Sequence, residues 1–205
     1  MREPMTVTNF RDSVRTLLRD RLLDAAASIT SADGWGSVTM SKIADEVGVS
    51  RQTVYNELGS KPEIAQELVM RELGRFLDVV RERINGESDV VEAIRSACEG
   101  ALETAESNPL LKVVLDSVQG GATELLPLLT TESQGLIDVA STTVMSTITE
   151  RFGDIGLSDQ RFAEAVDAIV RLVLSHAMRP AKSLSEAASE IAWIADHVIR
   201  GAQRH

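Results

Sequence analysis

The chain has 205 residues, of which 43% are hydrophobic and 25% charged, and its formal net charge is −10. This balance is typical of a globular protein with a buried core, and the single cysteine, Cys98, excludes an intramolecular disulfide bond. No apolar run approaches the roughly 18 residues of a membrane helix and no signal-peptide pattern opens the chain, so we expect a cytoplasmic protein without membrane contact.

The charge is unevenly distributed along the chain. Residues 1–61 contain eight Lys or Arg and eight Asp or Glu, whereas residues 62–205 contain 13 and 23. An acidic surface is repelled by DNA, while a neutral segment can still present basic side chains locally. The asymmetry predicts two parts with different partners, and we place them at residues 1–60 and 61–205.

The first elements are three helices with recognisable ends. Apolar residues recur every three to four positions over about 11–32, and Gly34 is suited to end that helix. Thr39 is a good N-cap for a short second helix that stops at Gly48, and Ser50 for a third helix over about 51–58.

The remainder of the chain is also helical in pattern. Ser60 and Glu63 have capping-box spacing for a fourth helix that ends near Asn85-Gly86. Further helices are predicted at about 88–106, 109–118, 123–153 with interruptions, 159–178 and 184 onward. Alternating strand patterns, including pairs joined by an Asn-Gly hairpin turn, are absent, so we predict an all-α fold of about nine helices.

The second and third helices have the spacing of a helix-turn-helix. Two short helices joined by a turn of about four residues that contains glycine are typical of this motif. Ala44 lies where the helices approach, Gly48 permits a left-handed turn, and Val54 packs the second helix on the first. The other core positions of the motif are Ile43, Val47, Val49 and Leu58.

The outer face of the third helix is polar and suited to DNA. Its side chains are those of Arg51, Gln52, Thr53, Tyr55 and Asn56. Hydrogen-bond donors of this kind match base edges and phosphates. Thr39 and Ser50 at helix starts, and Lys61 at the start of the fourth helix, suit phosphate oxygens. An ordinary solvated face is the alternative, but the turn geometry and the tyrosine between Thr53 and Asn56 favour DNA binding.

At these residues the chain resembles the TetR-type transcriptional regulators. The resemblance spans roughly 15–65 and consists of Gly34-Trp35, Val38-Thr39, Ile43-Ala44, Val47-Gly48-Val49-Ser50, Thr53-Val54-Tyr55 and Lys61. The chain departs from the family at Leu58, where an aromatic residue is usual, and at Glu57, where histidine is frequent. An acid at Glu57 is repelled by phosphate, so it points away from DNA or discriminates against some sequences.

The resemblance implies three N-terminal helices for DNA and six for regulation. It also implies a homodimer that binds a palindromic operator of double-stranded DNA, usually as a repressor, and is released by a small-molecule effector. Arg11, Arg15 and Arg19 recur every four residues on the first helix, where they suit either DNA-backbone and minor-groove contacts or a solvated face.

The last two helices have broad apolar stripes and suit dimerisation through a four-helix bundle, as the family implies. The candidate interface residues are Phe162, Val166, Ile169, Val173, Ile191, Ile194 and Val198. The core of a single chain is the alternative for several of these positions.

A ligand cavity is expected among the central helices. Its candidate lining residues are Leu110, Val114, Leu125, Leu129, Met145, Phe152 and His176. Because this lining is mainly aliphatic, it favours an apolar or amphipathic effector, although each position also suits an ordinary core.

Signals for an enzyme are weak in this sequence. His176, His197 and His205 have no metal-ligand spacing, there is no phosphate loop or Gly-x-Ser-x-Gly motif, and Cys98 suits a buried thiol. His197 is interpreted as an interface or core residue. We therefore expect no enzyme activity, no metal and no cofactor. The remaining alternative is a DNA-binding regulator without a small-molecule effector, controlled by a protein partner.

Overall fold

The computed structural model describes residues 7–111 and 134–202, with side chains described from Phe10 onward. Within these ranges the α-helices are α1 Val7–Asp33, α2 Met40–Val47, α3 Arg51–Leu58, α4 Lys61–Gly86, α5 Val90–Ser107, α6 Gln134–Phe152, α7 Asp159–Met178 and α8 Leu184–Ala202. A short 3-10 turn, Trp35–Ser37, follows α1, and no strand occurs in the described ranges. The predicted all-α fold is confirmed.

The helices begin where polar side chains bond to otherwise unpaired amides. Thr39 Oγ1 accepts from the Lys42 amide at 3.2 Å and Ser50 Oγ from the Thr53 amide at 3.1 Å, as predicted. The Ser60 hydroxyl and the Ser60 amide each donate to Glu63 Oε2 at 2.7 Å, as expected of the glutamate in the predicted capping box at α4, and these bonds lower the pKa of Glu63.

Other helix starts in the larger part of the chain use the same chemistry. Ser158 accepts from the Arg161 amide at 3.4 Å, and the Ser183 amide donates to Glu186 Oε2 at 3.0 Å. Asp89, which the sequence analysis did not single out, accepts from the Val91 amide at 2.9 Å. These local bonds explain why the helix starts were predictable from sequence.

The described residues form two compact units, one up to Val69 and the other from Met70 onward. The first unit is organised around the turn between α2 and α3. Gly48 adopts φ 80° and ψ 36°, the left-handed conformation that glycine favours, and its amide donates to the Ala44 carbonyl at 2.9 Å. The predicted turn is therefore present.

Small and branched side chains fill the core of this first unit. Ala44 is 2% exposed, and its short side chain accommodates the close packing of α2 and α3. The other wholly or almost wholly buried side chains are those of Leu22, Ala26, Val38, Ile43, Val54, Leu58, Ile64 and Leu68. Burying each large aliphatic side chain stabilises the fold by about 1.5–3 kcal/mol, which fixes the short helices in place.

The second unit has a separate core rich in alanine. It is formed by Val80, Ile84, Ala93, Ile94, Ala97, Cys98, Ala101, Ile148, Ala188, Ile191, Ala195 and Ile199. Alanine recurs at every fourth position of α5, so α8 packs closely along it. No helix in the described ranges has both the length and the apolarity needed to span a membrane.

Two predicted boundaries require correction. The first helix begins at Val7 rather than near residue 11, and α4 continues through Asn85-Gly86, where a break was expected. Ile84 is 1% exposed, so its burial holds the last turn of α4 in helical form despite the glycine. The predicted helix at 109–118 is described only up to residue 111, which is helical.

Candidate nucleic-acid interface

The outer face of α3 consists of polar side chains around one exposed aromatic ring. Val54 and Leu58 point into the core, with exposures of 0% and 2%, whereas Arg51, Gln52 and Asn56 are exposed. Tyr55 is 53% exposed, so its ring contributes little to the core of the described chain. The 3.6-residue period of α3 thus separates a packing face from a polar face, as predicted.

Two side chains on this face are oriented by a bond between them. Gln52 Nε2 donates to Asn56 Oδ1 at 2.9 Å. The bond leaves the Gln52 carbonyl oxygen as an acceptor and the Asn56 amide as a donor, both on an exposed surface. A neighbouring acceptor and donor match the major-groove edge of an A·T base pair, where adenine presents N7 and its amino group.

The remaining predicted contacts lie at helix starts of the same unit. Ser50 Oγ lies 2.9 Å from Thr53 Oγ1, and Arg51 Nη1 donates to Ser41 Oγ at 3.3 Å. Thr39 is exposed at the beginning of α2. Hydroxyls and the positive ends of the helix dipoles at these positions suit phosphate oxygens.

Lys61 lies in the first turn of α4 and is partly buried. Its Nζ atom is 5.2 Å from the centre of the Trp35 ring, within the range of a cation–π interaction. Trp35 is 4% exposed, so the ring is a fixed support for the lysine stem. All eight predicted DNA contacts are therefore found in the first unit, on α3 or at the edges of α2, α3 and α4.

The row of arginines on α1 is engaged with acids of the same unit. Arg15 Nε donates to Glu57 Oε2 at 2.8 Å, which raises the pKa of Arg15. Arg19 donates to the Glu57 carbonyl oxygen and to the Glu67 carboxylate. Of the alternatives left open for these arginines, the structure shows intramolecular pairing for Arg15 and Arg19, while Arg11 is exposed. The Glu57 side chain, 17% exposed, turns towards α1.

The predicted dimerisation residues in the second unit have very different exposures. Ile194 and Val198 are each 40% exposed. Phe162, Ile169 and Val173 are partly buried against the core of their own chain, whereas Val166 and Ile191 are 3% and 1% exposed and offer almost no surface. Trp193, which the sequence analysis missed, is 63% exposed next to Ile194. Its signal in the sequence was a large apolar residue one position off the predicted stripe.

Only four of the seven predicted cavity residues lie in the described ranges. Val114, Leu125 and Leu129 lie outside the described residues; Met145 and His176 are partly buried. Phe152 lines an open hollow of about 430 Å³ with Asp89 and Val90 at the beginning of α5. Leu110, 7% exposed, follows the other end of that helix.

The 18 residues of α5 span about 27 Å at 1.5 Å per residue. The hollow beside Phe152 therefore does not extend to Leu110, and the single lining expected from the sequence stays a prediction. Periodicity placed both residues on apolar faces but carried no information about which end of a neighbouring helix each one meets.

The groups considered for chemistry have structural surroundings. Within the described ranges no cluster of three or more His, Cys, Asp or Glu side chains is placed to hold a metal ion. Burial raises the pKa of the Cys98 thiol to about 12. His197 is exposed, and its Nδ1 lies 2.8 Å from the Trp193 carbonyl oxygen, so a core position for this histidine is excluded.

Two family models match separate parts of the chain. The family described as bacterial regulatory proteins of the tetR family matches residues 22–68, which include α2 and α3. The family described as the C-terminal domain of the bacterial tetracyclin repressor matches residues 89–197, more than half of the chain.

Individual proteins are similar over different lengths. The HTH-type transcriptional regulator AlkX of Mycobacterium tuberculosis is 29% identical over 203 residues, 98% of this chain and 93% of that protein. The nucleoid occlusion factor SlmA of Vibrio vulnificus is 32% identical over 105 residues, 47% of this chain and 50% of that protein.

A solved structure extends the comparison to the fold. The TetR family repressor AlkX from a Dietzia strain, implicated in biodegradation of n-alkanes, has a TM-score of 0.72 and 24% identity to this chain. The match covers 91% of this chain and 95% of that one, so the all-helical fold is shared over nearly the full length.

Proposed function

Because this chain belongs to the TetR family of DNA-binding transcriptional regulators, we propose that it is a repressor that binds a palindromic operator as a homodimer. A small apolar or amphipathic effector releases it from DNA. The observation that carries the proposal is the exposed polar face of α3, with Tyr55 at its centre. The family is one of transcriptional regulators rather than enzymes.

The dimensions of α3 support reading of the major groove. Eight residues form about 12 Å of helix, and the major groove of B-DNA is about 12 Å wide. In a homodimer the two copies of α3 then meet half-sites about 34 Å apart, and the twofold symmetry of the protein requires a palindrome. Such a protein works in the compartment that holds the chromosome, the bacterial cytoplasm.

The exposed apolar residues of α8 support dimerisation. Trp193, Ile194 and Val198 form a patch that a second copy covers when α7 and α8 pair with their equivalents in a four-helix bundle. The proposed interface retains Phe162, Ile169 and Val173 as partly exposed contributors, while the buried Val166 and Ile191 support it from within the chain.

Release by an effector is proposed as a population shift. The effector binds better to a dimer geometry in which the two α3 helices no longer match successive major grooves. Its binding therefore increases the population of dimers that cannot bind the operator. The Dietzia repressor is implicated in n-alkane biodegradation, and at 24% identity this likeness shows only the fold, so it serves to choose an n-alkane series as the first ligands to test.

Control by a protein partner is the second candidate. The similarity to the nucleoid occlusion factor covers only 47% of this chain, so part of the chain is related to a protein whose name describes a different role. Titration with n-alkanes of increasing length, followed by operator release, separates the candidates. Release at a defined chain length supports the effector, whereas operator binding unaffected across the series favours a protein partner.

Selection of bound sequences from a random duplex library at near-physiological salt tests the DNA-binding proposal. Footprinting of the selected duplex then measures the half-site spacing. A palindromic motif with half-sites one helical turn apart, or a multiple of it, is the expected result. Enrichment of a single unrepeated half-site contradicts the homodimer, and no enrichment contradicts sequence-specific repression.

A further inference from the structure

The orientation of α3 depends on bonds to α1 as well as on its small apolar core. The helix has eight residues, of which only Val54 and Leu58 are buried. Two side chains one turn apart define a short line of contact, about which a helix can still tilt. Glu57, next to Leu58, supplies the additional bonds, because both its side chain and its carbonyl oxygen are engaged by arginines of α1.

Arg19 acts at the C-terminal end of α3. The last four carbonyl groups of a helix have no partner within it, and the Glu57 carbonyl is one of them. The Arg19 guanidinium donates to this carbonyl and, through its other nitrogen, to the Glu67 carboxylate of α4. One side chain of α1 therefore ties the end of α3 to α4, and its positive charge complements the negative end of the α3 dipole.

Arg15 acts on the side chain of Glu57 rather than on its backbone. Its Nε donates to Glu57 Oε2 at 2.8 Å, and the arginine side chain is 62% exposed while that of the glutamate is 17% exposed. Glu57 directly follows Asn56 of the polar face in the chain, and its side chain turns from that face towards α1. The charge of Arg15 is therefore compensated by the residue next to the polar face of α3.

We propose that Glu57 is a specificity-determining residue of the operator complex, with Arg15 and Arg19 as positioning residues that act through it. The Arg15 bond to its carboxylate and the Arg19 bond to its carbonyl oxygen together fix the tilt of α3 for reading bases. The carboxylate also holds Arg15 away from the DNA backbone, where an arginine would strengthen binding to every sequence alike. This inference rests on the proposed function, because it concerns discrimination between an operator and random DNA.

The salt dependence of binding separates this role from an ordinary phosphate contact. Each phosphate contact changes the slope of log K against log salt by about 0.9. If Arg15 contacts phosphate in the native protein, its removal flattens the slope for random DNA. If Glu57 holds Arg15 back, removal of Arg15 leaves that slope unchanged, and removal of the Glu57 charge makes it steeper.

The experiment measures the affinity of the full chain for a labelled random duplex over a series of salt concentrations, by fluorescence anisotropy. The variants are Glu57→Gln, Arg15→Gln and the double variant. Glu46→Gln is the matched control, because Glu46 is an exposed acid of α2 in the same unit and its loss changes the net charge equally. Thermal unfolding confirms that each variant is folded.

We expect Glu57→Gln to steepen the slope by about 0.9 per protomer, which corresponds to about fivefold tighter random-DNA binding per protomer at 0.15 M salt. The same variant replaces the charged partner of Arg15 by a neutral one while the Arg19 bond to the backbone carbonyl remains. We expect the weaker Arg15 bond to keep the operator affinity from rising in parallel, so the operator-to-random ratio falls by about fivefold per protomer. Arg15→Gln and the double variant keep the native slope. Glu46→Gln also keeps the native slope, because it adds no phosphate contact.

Three results overturn the inference. A flatter slope for Arg15→Gln shows that Arg15 already contacts phosphate, and this test stands even if Glu57→Gln does not fold. Equal slopes for Glu57→Gln and Glu46→Gln show that only net charge matters. An unchanged operator-to-random ratio removes Glu57 from specificity. Absence of any selected operator contradicts the proposed function instead, while the slopes on random DNA still decide whether Arg15 is held back.

Discussion

The two compact units use the same helix chemistry, but they differ in what determines their functional surfaces. In the first unit the polar face of α3 follows from a short helix with capped ends and two inward-facing residues, Val54 and Leu58. In the second unit the helices α5 to α8 are 18 to 20 residues long and carry apolar side chains on several faces. Which of those faces is buried is decided by neighbouring helices, so local sequence carries less information there.

The largest expected effect follows from a change in the core of the second unit. Ile191→Ala removes a side chain that is 1% exposed within this core, and we expect a loss of about 2–5 kcal/mol in the free energy of unfolding. Urea denaturation followed by circular dichroism measures it. Ser189→Ala, an exposed neighbour on α8, is the control with little expected change. A loss below 1 kcal/mol for Ile191→Ala would contradict its placement in the core.

A change on the polar face of α3 is expected to weaken operator binding with little effect on stability. Tyr55→Ala removes a ring that is 53% exposed, so stability changes by less than about 0.5 kcal/mol, while operator binding weakens by about 1–3 kcal/mol. Anisotropy with the selected operator measures the affinity. Gln66→Ala, exposed on α4, serves as the control. Unchanged operator affinity in Tyr55→Ala would remove this residue from the interface.

Each unit has a serine that caps the beginning of a helix, so the effect of removing the cap can be compared between the two units. Ser50 accepts from the Thr53 amide at 3.1 Å and Ser158 from the Arg161 amide at 3.4 Å. Replacing either serine by alanine is expected to cost about 1 kcal/mol of stability, because each change leaves a helix amide without its cap. Only Ser50→Ala is expected to weaken operator binding as well. Equal operator affinities for the two variants, corrected for stability, would limit Ser50 to capping.

The smallest effect on stability at neutral pH is expected from the ionisation of Cys98, a core residue of the second unit. Burial raises its pKa from 9.0 to about 12, so the folded state favours the neutral thiol. The stability that depends on a neutral Cys98 thiol is therefore fully present below pH 9, and it is lost as the pH rises from 9 towards 12. Urea denaturation at pH 8, 9.5 and 10.5 measures this loss, and Cys98→Ala is expected to reduce its slope with pH.

Much of the fold was predictable because helix ends are local signals. The caps at Thr39, Ser50, Ser60, Ser158 and Ser183 each depend on residues two or three positions away, and the structure contains them where the sequence predicted. The polar face of α3 was predictable for the same reason. The helical period alone predicts which side chains of α3 face outward once the inward-facing ones are known.

Features that depend on distant partners were not predictable in the same way. Arg15 and Glu57 are 42 positions apart, so the arginine row on α1 looked equally suited to DNA contact or to solvent. Leu110 and Phe152 were assigned to one cavity because both lie in apolar patterns, and this assignment stays a prediction. The pattern did not indicate that Leu110 follows the end of α5 while Phe152 lies beside its beginning. Periodicity identifies a buried face but not the neighbour that covers it.

The bonds between α1 and Glu57 also limit how this DNA-reading element can be transplanted. A chimera that carries only residues 50–58 into a relative would bring Glu57 without Arg15, which bonds to its carboxylate, and without Arg19, which bonds to its carbonyl oxygen. The graft would then place an uncompensated negative charge next to the DNA backbone, and the donor specificity would be lost although every base-facing side chain had been copied. The portable segment for engineering a new operator preference therefore begins at Arg15 and ends at Glu67.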